Sequence, residues 1–139
     1  MKVIINECFG GFEISLECLY RLIQMNSSIV QSFDLSEYYG GKPIPENEFI
    51  DFKDGFLKQK WGHNSLIKDN KIYSLNENYG NKEKTRTHPD LIKLVKEIGK
   101  ESCGTFAELK IVKIPDNIEF EIEEYDGNEH IAEKHRTWS

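Results

Sequence analysis

The sequence is poor in the residues on which disulfide, metal and catalytic chemistry usually depend. Its 139 residues include three cysteines, Cys8, Cys18 and Cys103, which are far apart and form no CxxC pair. An odd number of widely spaced cysteines is typical of free thiols in a reducing compartment rather than of a disulfide framework or a zinc site. The glycines also lack the spacing of a phosphate-binding or dinucleotide motif. We therefore expect no metal, no cofactor and no catalytic constellation.

Long apolar runs are missing as well. No segment approaches the ~18 apolar residues that a membrane-spanning helix needs, and the first apolar stretch becomes polar at Asn6, too early for a signal peptide. These features predict a cytoplasmic protein with no membrane partner.

Positive charge is in the minority, with 18 Lys and Arg against 24 Asp and Glu and a net charge of −6. Binding to a nucleic acid polymer depends mainly on Lys and Arg contacts to phosphates, so the sequence argues against a DNA or RNA partner. Binding of a small anionic ligand is still possible, because such a ligand needs only a few local hydrogen-bond donors.

The C-terminal third carries the strongest structural pattern. Ile118, Phe120 and Ile122 alternate with glutamates, which predicts a strand with one buried and one wet face. Turn residues separate it from apolar segments at Leu109–Ile114 and Ile131–His135. The pattern predicts a three-strand antiparallel meander.

Two helices and two further strands are predicted before it. One helix has Ser15 as N-cap and runs to about Met25, and the other starts with Pro89 at its first position and stops at Gly99. The further strands are Lys2–Cys8 and Ile29–Leu35. The predicted fold class is α+β, a mostly antiparallel sheet with the C-terminal meander and two helices packed on it.

We predict one domain over residues 1–139, with a long excursion at residues 38–84. Within the excursion, Ser65–Lys68 and Lys71–Leu75 flank Asp69-Asn70 and predict a hairpin. So long a segment without regular structure would be functional, involved in assembly or partly mobile.

Three short segments are candidate ligand sites, and each has a structural alternative. Arg86 and His88 lie at a helix N-terminus, where free backbone N–H groups favour an anion. We expect Arg86 to be an exposed guanidinium that contacts phosphate. The alternative is that it pairs with a glutamate of the meander and docks the helix.

The second candidate joins a strand to a helix through Phe9, Gly10, Gly11 and Phe12. Paired glycines let a backbone approach a phosphate or ring closely, and the aromatic residues could stack on a base. The alternative is a tight turn with both phenylalanines in the core.

The third candidate is the C-terminal pair Arg136 and Trp138, with Tyr125 as a further stacking residue. A guanidinium for phosphate and an aromatic face for a base suit a nucleotide. The alternative is a terminal clamp in which Trp138 packs on the sheet.

A cysteine-dependent enzyme is a further reading, with Cys8 as nucleophile and one of four histidines as base. No family-specific context surrounds Cys8, and a strand-end cysteine is more often a small buried hydrophobe.

Three stretches carry a family resemblance: KVIINECFGGFEIS, RTHPDLIKLVKEIG and LKIVKIPDNIEFEIEEYDGNEHIAEKHRTW. They resemble small phage proteins of the Thoeris anti-defence 1 type, which act as sponges for signalling nucleotides. The resemblance covers both ends of the chain and leaves residues 38–84 as a divergent middle.

The resemblance implies a non-enzymatic immune-evasion protein in the infected bacterial host cell. Such a protein binds and sequesters cyclic ADP-ribose isomers, and in some cases cyclic oligonucleotides, without degrading them. It also implies a homo-oligomer, from dimer to hexamer, which exposed sheet edges would favour. The alternatives are a module that binds a host protein and the cysteine-dependent nucleotide-processing enzyme.

Overall fold

A computed structural model describes residues 1–61, 64–77 and 82–134. These residues form two compact units, Ser15–Asn76 and the combination of Met1–Ile14 with the described part of Glu77–Ser139. We call them the inner and the outer unit after their order along the chain, and we describe each by itself. The single-domain prediction stays a prediction.

The described elements are four helices and nine strands, joined by two 3-10 turns at Glu46–Glu48 and Gly99–Ser102. The α+β class is therefore confirmed, and every strand pair is antiparallel. The helices are α1 Leu16–Gln24, α2 Leu35–Tyr38, α3 Lys82–Arg86 and α4 Pro89–Ile98. The strands are β1 Lys2–Asn6, β2 Val30–Asp34, β3 Phe49–Lys53, β4 Phe56–Gln59, β5 Ser65–Lys68, β6 Lys71–Leu75, β7 Leu109–Lys113, β8 Phe120–Tyr125 and β9 Asn128–Glu133.

The inner unit is a five-stranded sheet in the order β2-β6-β5-β4-β3, with α1 packed on it. Ser15 caps α1 as predicted, because its side chain accepts the backbone N–H of Cys18 at 3.0 Å. Leu19, Leu22 and Leu66 are almost fully buried in this unit. The predicted β5-β6 hairpin is confirmed residue for residue.

The excursion at residues 38–84 contains more regular structure than the sequence predicted. A second hairpin, β3-β4, turns at Asp54-Gly55, where φ is +50° and +82°. Two positive φ values suit the tight turn that matches the twist of antiparallel strands. The Asp-Gly pair was the signal for this hairpin in the sequence.

The outer unit contains β1 paired with β7, the hairpin β8-β9, and the helices α3 and α4. Its buried apolar side chains come chiefly from β1 and from one stripe of α4, which packs on β1 and β7. The stripe and the strand supply Val3, Ile4, Ile5, Leu91, Leu94 and Val95.

The predicted three-strand meander is wrong in its pairing. β7 pairs with β1, with Ile4 opposite Ile111, whereas β8 pairs only with β9 among the described strands. The segment between β7 and β8 is too long for a tight hairpin and contains Pro115, which has no N–H to donate. The ladder instead continues to the N-terminus, where Ile114 N–H donates to the Met1 carbonyl at 2.9 Å.

Candidate functional site

An open groove of about 550 Å³ lies in the outer unit beside the start of α4. Helix α4 begins sharply because Pro89 occupies its first turn and the His88 side chain accepts the Asp90 N–H at 3.1 Å. The α4 residues that line the groove follow the spacing i, i+3, i+4, i+7, so they form one face of the helix. The lining consists of Met1, Lys2, Thr87, Pro89, Ile92, Lys93 and Lys96.

The groove is rich in ammonium groups. The Met1 ammonium forms an ion pair with Asp116, and Lys93 lies 4.0 Å from a carboxylate oxygen of Glu97. Lys2 and Lys96 have no carboxylate partner within the described ranges. We call this site the lysine groove.

Lys2 and Lys96 lie next to each other on the wall of the groove. Contact with the Lys96 side chain and repulsion between the two ammonium groups lower the pKa of Lys2 below its usual value. A bound anion between two such ammonium groups would relieve their repulsion. The apolar surface of Ile92 and Pro89 adds a wall on which an uncharged ring can rest.

Arg86 does not face this groove, and the expectation of an exposed guanidinium is wrong. The residue is 1% exposed. Its Nη1 and Nη2 donate to the two carboxylate oxygens of Glu129 at 2.6 and 2.9 Å, and its Nε donates to Glu77 at 2.8 Å. Further bonds to the Ile4 carbonyl and to Glu77 use the remaining N–H groups. The guanidinium therefore has no donor left for phosphate.

The structure thus shows the alternative that the sequence left open, in which Arg86 pairs with a glutamate of the C-terminal strands. The sequence could not reveal this burial because Glu129 is 43 residues away and belongs to the turn side of a hairpin. Phe12 also belongs to this cluster, since its ring centroid lies 3.4 Å from the guanidinium carbon of Arg86. That ring face is covered by the cation and is not open to a base.

Gly10 and Gly127 permit close packing between segments. A Cβ on Gly10 would lie 2.2 Å from the carbonyl oxygen of Phe106, and a Cβ on Gly127 would lie 2.3 Å from the Gly11 nitrogen. The two glycines therefore bring the loop after β1 against two other segments.

Phe9 and Tyr125 are exposed, at 65% and 74%, but they lie beyond the far end of β1 from the lysine groove. Lys2 begins β1 and Asn6 ends it, a separation of about 13 Å at ~3.3 Å per residue. The structure therefore splits the predicted ligand residues between two places. His88 lies in the chain between Thr87 and Pro89, which line the lysine groove, but does not line it itself, whereas Phe9, Gly10, Gly11 and Tyr125 cluster at the other end.

Arg136 and Trp138 lie outside the described residues. The histidines proposed as partners of Cys8 have other contacts where they are described: His88 caps α4, and His130 Nε2 lies 2.9 Å from a carboxylate oxygen of Glu123. The Cys8 thiol is half-buried rather than buried. No group of three or more His, Cys, Asp or Glu side chains suited to a metal occurs in the described part of the chain.

The residues that sequence reasoning missed are Lys2, Lys93 and Lys96. Lys93 and Lys96 have helical i, i+3 spacing, which places them on one face of α4. Lys2 is added only by the packing of α4 against β1, which no local pattern in the sequence records.

Comparison with family models, curated proteins and solved structures found no match to this chain. Within the described ranges, no helix has the length and apolar character that crossing a membrane requires.

Proposed function

We propose that the protein binds a cyclic nucleotide signal in the lysine groove and sequesters it without degrading it. The supporting observation is the pair of ammonium groups, Lys2 and Lys96, side by side in an open groove of about 550 Å³. Binding sites for small molecules usually have volumes of roughly 300–1,000 Å³. The groove is therefore large enough for a nucleotide with two phosphates.

The lysines and the apolar wall divide the recognition between them. Lys2 and Lys96 bind the phosphates, and Lys93 adds a third positive charge nearby. The nucleobase or ribose packs on Ile92 and Pro89. Recognition by charge and apolar contact requires no bond to be made or broken, so one ligand is held per site.

The family resemblance supplies the biological setting of this proposal. A phage protein of this kind acts in the cytoplasm of the infected bacterial cell and removes cyclic ADP-ribose isomers or cyclic oligonucleotides from the host's immune response. A net charge of −6 does not oppose this, because Lys2, Lys93, Lys96 and the Met1 ammonium lie together in the groove.

Calorimetry with cyclic ADP-ribose isomers and cyclic dinucleotides tests the site. Lys96→Gln and Lys2→Gln should each weaken binding about tenfold, because each removes one charge-assisted hydrogen bond to a phosphate, and solvent screening limits the strength of that bond. Lys42→Gln removes the same charge from an exposed residue outside the groove and should leave the affinity unchanged. Equal affinity in all three variants and the wild type would exclude the lysine groove as the site.

The cysteine-dependent enzyme is tested in the same samples. We expect Cys8→Ala to leave binding unchanged, because Cys8 follows the end of β1 opposite to the groove. The opposite result is that the wild type converts more than one nucleotide per chain and that a folded Cys8→Ala variant loses this turnover. This result would show that the protein is a cysteine-dependent enzyme and would contradict sequestration.

A further inference from the structure

Three large aromatic side chains of the outer unit are strongly exposed. Phe9, Phe106 and Tyr125 are 65%, 72% and 74% accessible. They come from three separate segments: the loop after β1, the segment before β7 and the end of β8. Single exposed rings are common, but three on segments that meet point to a contact surface.

The buried side chain of Asn6 ties these three segments together. Its Nδ2 donates to the carbonyls of Cys8 and Gly127 at 2.7 and 2.8 Å, and its Oδ1 accepts the Glu108 N–H at 2.8 Å. The close approach of Gly10 to Phe106 and of Gly127 to Gly11 adds to this. The rings are therefore presented on fixed backbone, which lowers the entropy lost when a partner binds.

Carboxylates are the charged groups of the same segments. Glu108, Glu124 and Asp126 are exposed, and none of them has an ion-pair partner among the residues that the structure describes. The segments 7–11, 104–108 and 124–128 contain no Lys or Arg, and the adjacent Lys110 is paired with Glu7 at 3.1 Å. We call the three rings with these three carboxylates the acidic aromatic patch.

Exposed aromatic faces beside carboxylates suit a cation. The negative face of a ring attracts a guanidinium or ammonium group, and a carboxylate binds the N–H groups of arginine in a bidentate way. The same carboxylates repel phosphate, which argues against base stacking by Phe9 and Tyr125 with a phosphate close by.

From this charge complementarity, we propose that the acidic aromatic patch binds an arginine- or lysine-containing segment of a partner protein. Guanidinium groups stack on Phe9, Phe106 and Tyr125 and pair with Glu108, Glu124 and Asp126. The patch lies past the end of β1 at Asn6, whereas the lysine groove lies at Lys2, so both sites can be occupied at once. The proposal does not depend on nucleotide binding.

The test uses a fluorescent peptide of alternating arginine and glycine at about 150 mM salt, where the Debye length is ~8 Å and diffuse attraction to the acidic protein is screened. We expect the wild type to bind at least about tenfold more tightly than a variant with Phe9→Ser, Phe106→Ser and Tyr125→Ser. The variant has the same net charge as the wild type, so a difference in peptide affinity measures the contribution of the aromatic rings. Circular dichroism confirms its fold.

Two control variants separate the patch from general charge attraction. Trp61→Ser removes an aromatic side chain that is 88% exposed elsewhere and should bind the peptide like the wild type. A variant with Glu124→Gln and Asp126→Asn should bind the peptide more weakly than the wild type does. Equal peptide affinity in the triple serine variant and the wild type would overturn the proposal. Loss of a bound nucleotide in that variant would also overturn it, because the rings would then be base platforms.

Discussion

At the scale of single residues, Arg86 shows how burial changes the role of a charged side chain. It is enclosed with Glu129, and both side chains are 1% exposed. Taking two charges out of water costs several kcal/mol each, and only close hydrogen bonding compensates for it. Glu129 completes its own bonding by accepting the Asn6 N–H at 2.8 Å. The cluster therefore joins α3 to β1 and β9.

Removing Arg86 should destabilise the fold strongly. We expect Arg86→Ala to lower the free energy of unfolding by about 3–5 kcal/mol, because it leaves the buried Glu129 carboxylate without its guanidinium partner and with the more distant Lys82 ammonium, at 3.6 Å, as its remaining cation among the described residues. Urea unfolding measures the loss. Arg21→Ala is the matched control: Arg21 pairs with Glu17 near the surface, and such a pair contributes ~0.3–0.5 kcal/mol. A loss below about 1 kcal/mol for Arg86→Ala would contradict the buried cluster.

The same cluster should make the protein sensitive to acid. Burial raises the pKa of Glu129, but the hydrogen bonds and charge of Arg86 outweigh burial and leave the pKa below its usual value. A carboxylate with a lowered pKa in the folded state stabilises the protein above its unfolded pKa of about 4.3, and this contribution is lost as the pH falls further.

The expected result is a free energy of unfolding that falls between about pH 5 and pH 3, and falls less in Glu129→Gln than in the wild type. Glu17, Asp34 and Asp116 also have lowered pKa values, but they contribute equally to the pH dependence of the wild type and of Glu129→Gln. Denaturant unfolding at several pH values measures how the free energy of unfolding of the wild type and of Glu129→Gln changes with pH. Parallel curves would show that Glu129 is not the titrating group.

At the scale of elements, the β8-β9 turn is fixed by a contact that only glycine permits. Gly127 has φ +88°, and a Cβ there would lie 2.3 Å from the Gly11 nitrogen. Gly41 has φ +77° with nothing within 4 Å of its Cβ position. The two positions therefore share the backbone strain and differ in the steric contact.

Gly127→Ala should destabilise the protein more than Gly41→Ala. We expect about 1–2 kcal/mol for Gly41→Ala from the left-handed backbone alone, and a clearly larger loss for Gly127→Ala because backbone must move. Thermal or urea unfolding compares the two. Equal losses would mean that the β8-β9 turn does not pack against the loop after β1.

The elements that the sequence predicted correctly are those with local signals. Ser15 before α1, Pro89 at the start of α4 and Asp69-Asn70 in the β5-β6 hairpin act through neighbouring residues, so their patterns are visible in the sequence. The pairing of β7 with β1 was missed because it joins segments about a hundred residues apart. Such pairings depend on tertiary packing, which no short window contains.

The candidate site follows the same division. The start of α4 was predicted as an anion site, and it does border the lysine groove. The assignment of Arg86 as the cation of this site was wrong, because Arg86 is buried by partners from other segments. The lysines of the groove and the acidic aromatic patch both arise from segments distant in sequence.

At the scale of the whole molecule, assembly stays a prediction. Among the described strands, β1 and β7 form a ladder only with each other, as do β8 and β9, so each has a side without a hydrogen-bonded strand, although β9 lies beside β1. Strand edges of this kind favour association between copies. We expect light scattering at micromolar concentration to give a homo-oligomer, with a mass well above the 16.2 kDa of one chain. A mass equal to one chain would count against assembly.

The most direct test of sequestration in the lysine groove is recovery of the ligand. The wild type and a Lys2→Gln/Lys96→Gln variant are each incubated with cyclic ADP-ribose isomers or cyclic dinucleotides, freed of unbound ligand and heated. The released molecules are then identified and counted by mass spectrometry. We expect about one intact molecule per wild-type chain and at least about tenfold weaker retention by the double variant, because two neighbouring lysines on one ligand need not act additively. Converted product, or equal recovery from both proteins, would contradict the proposal.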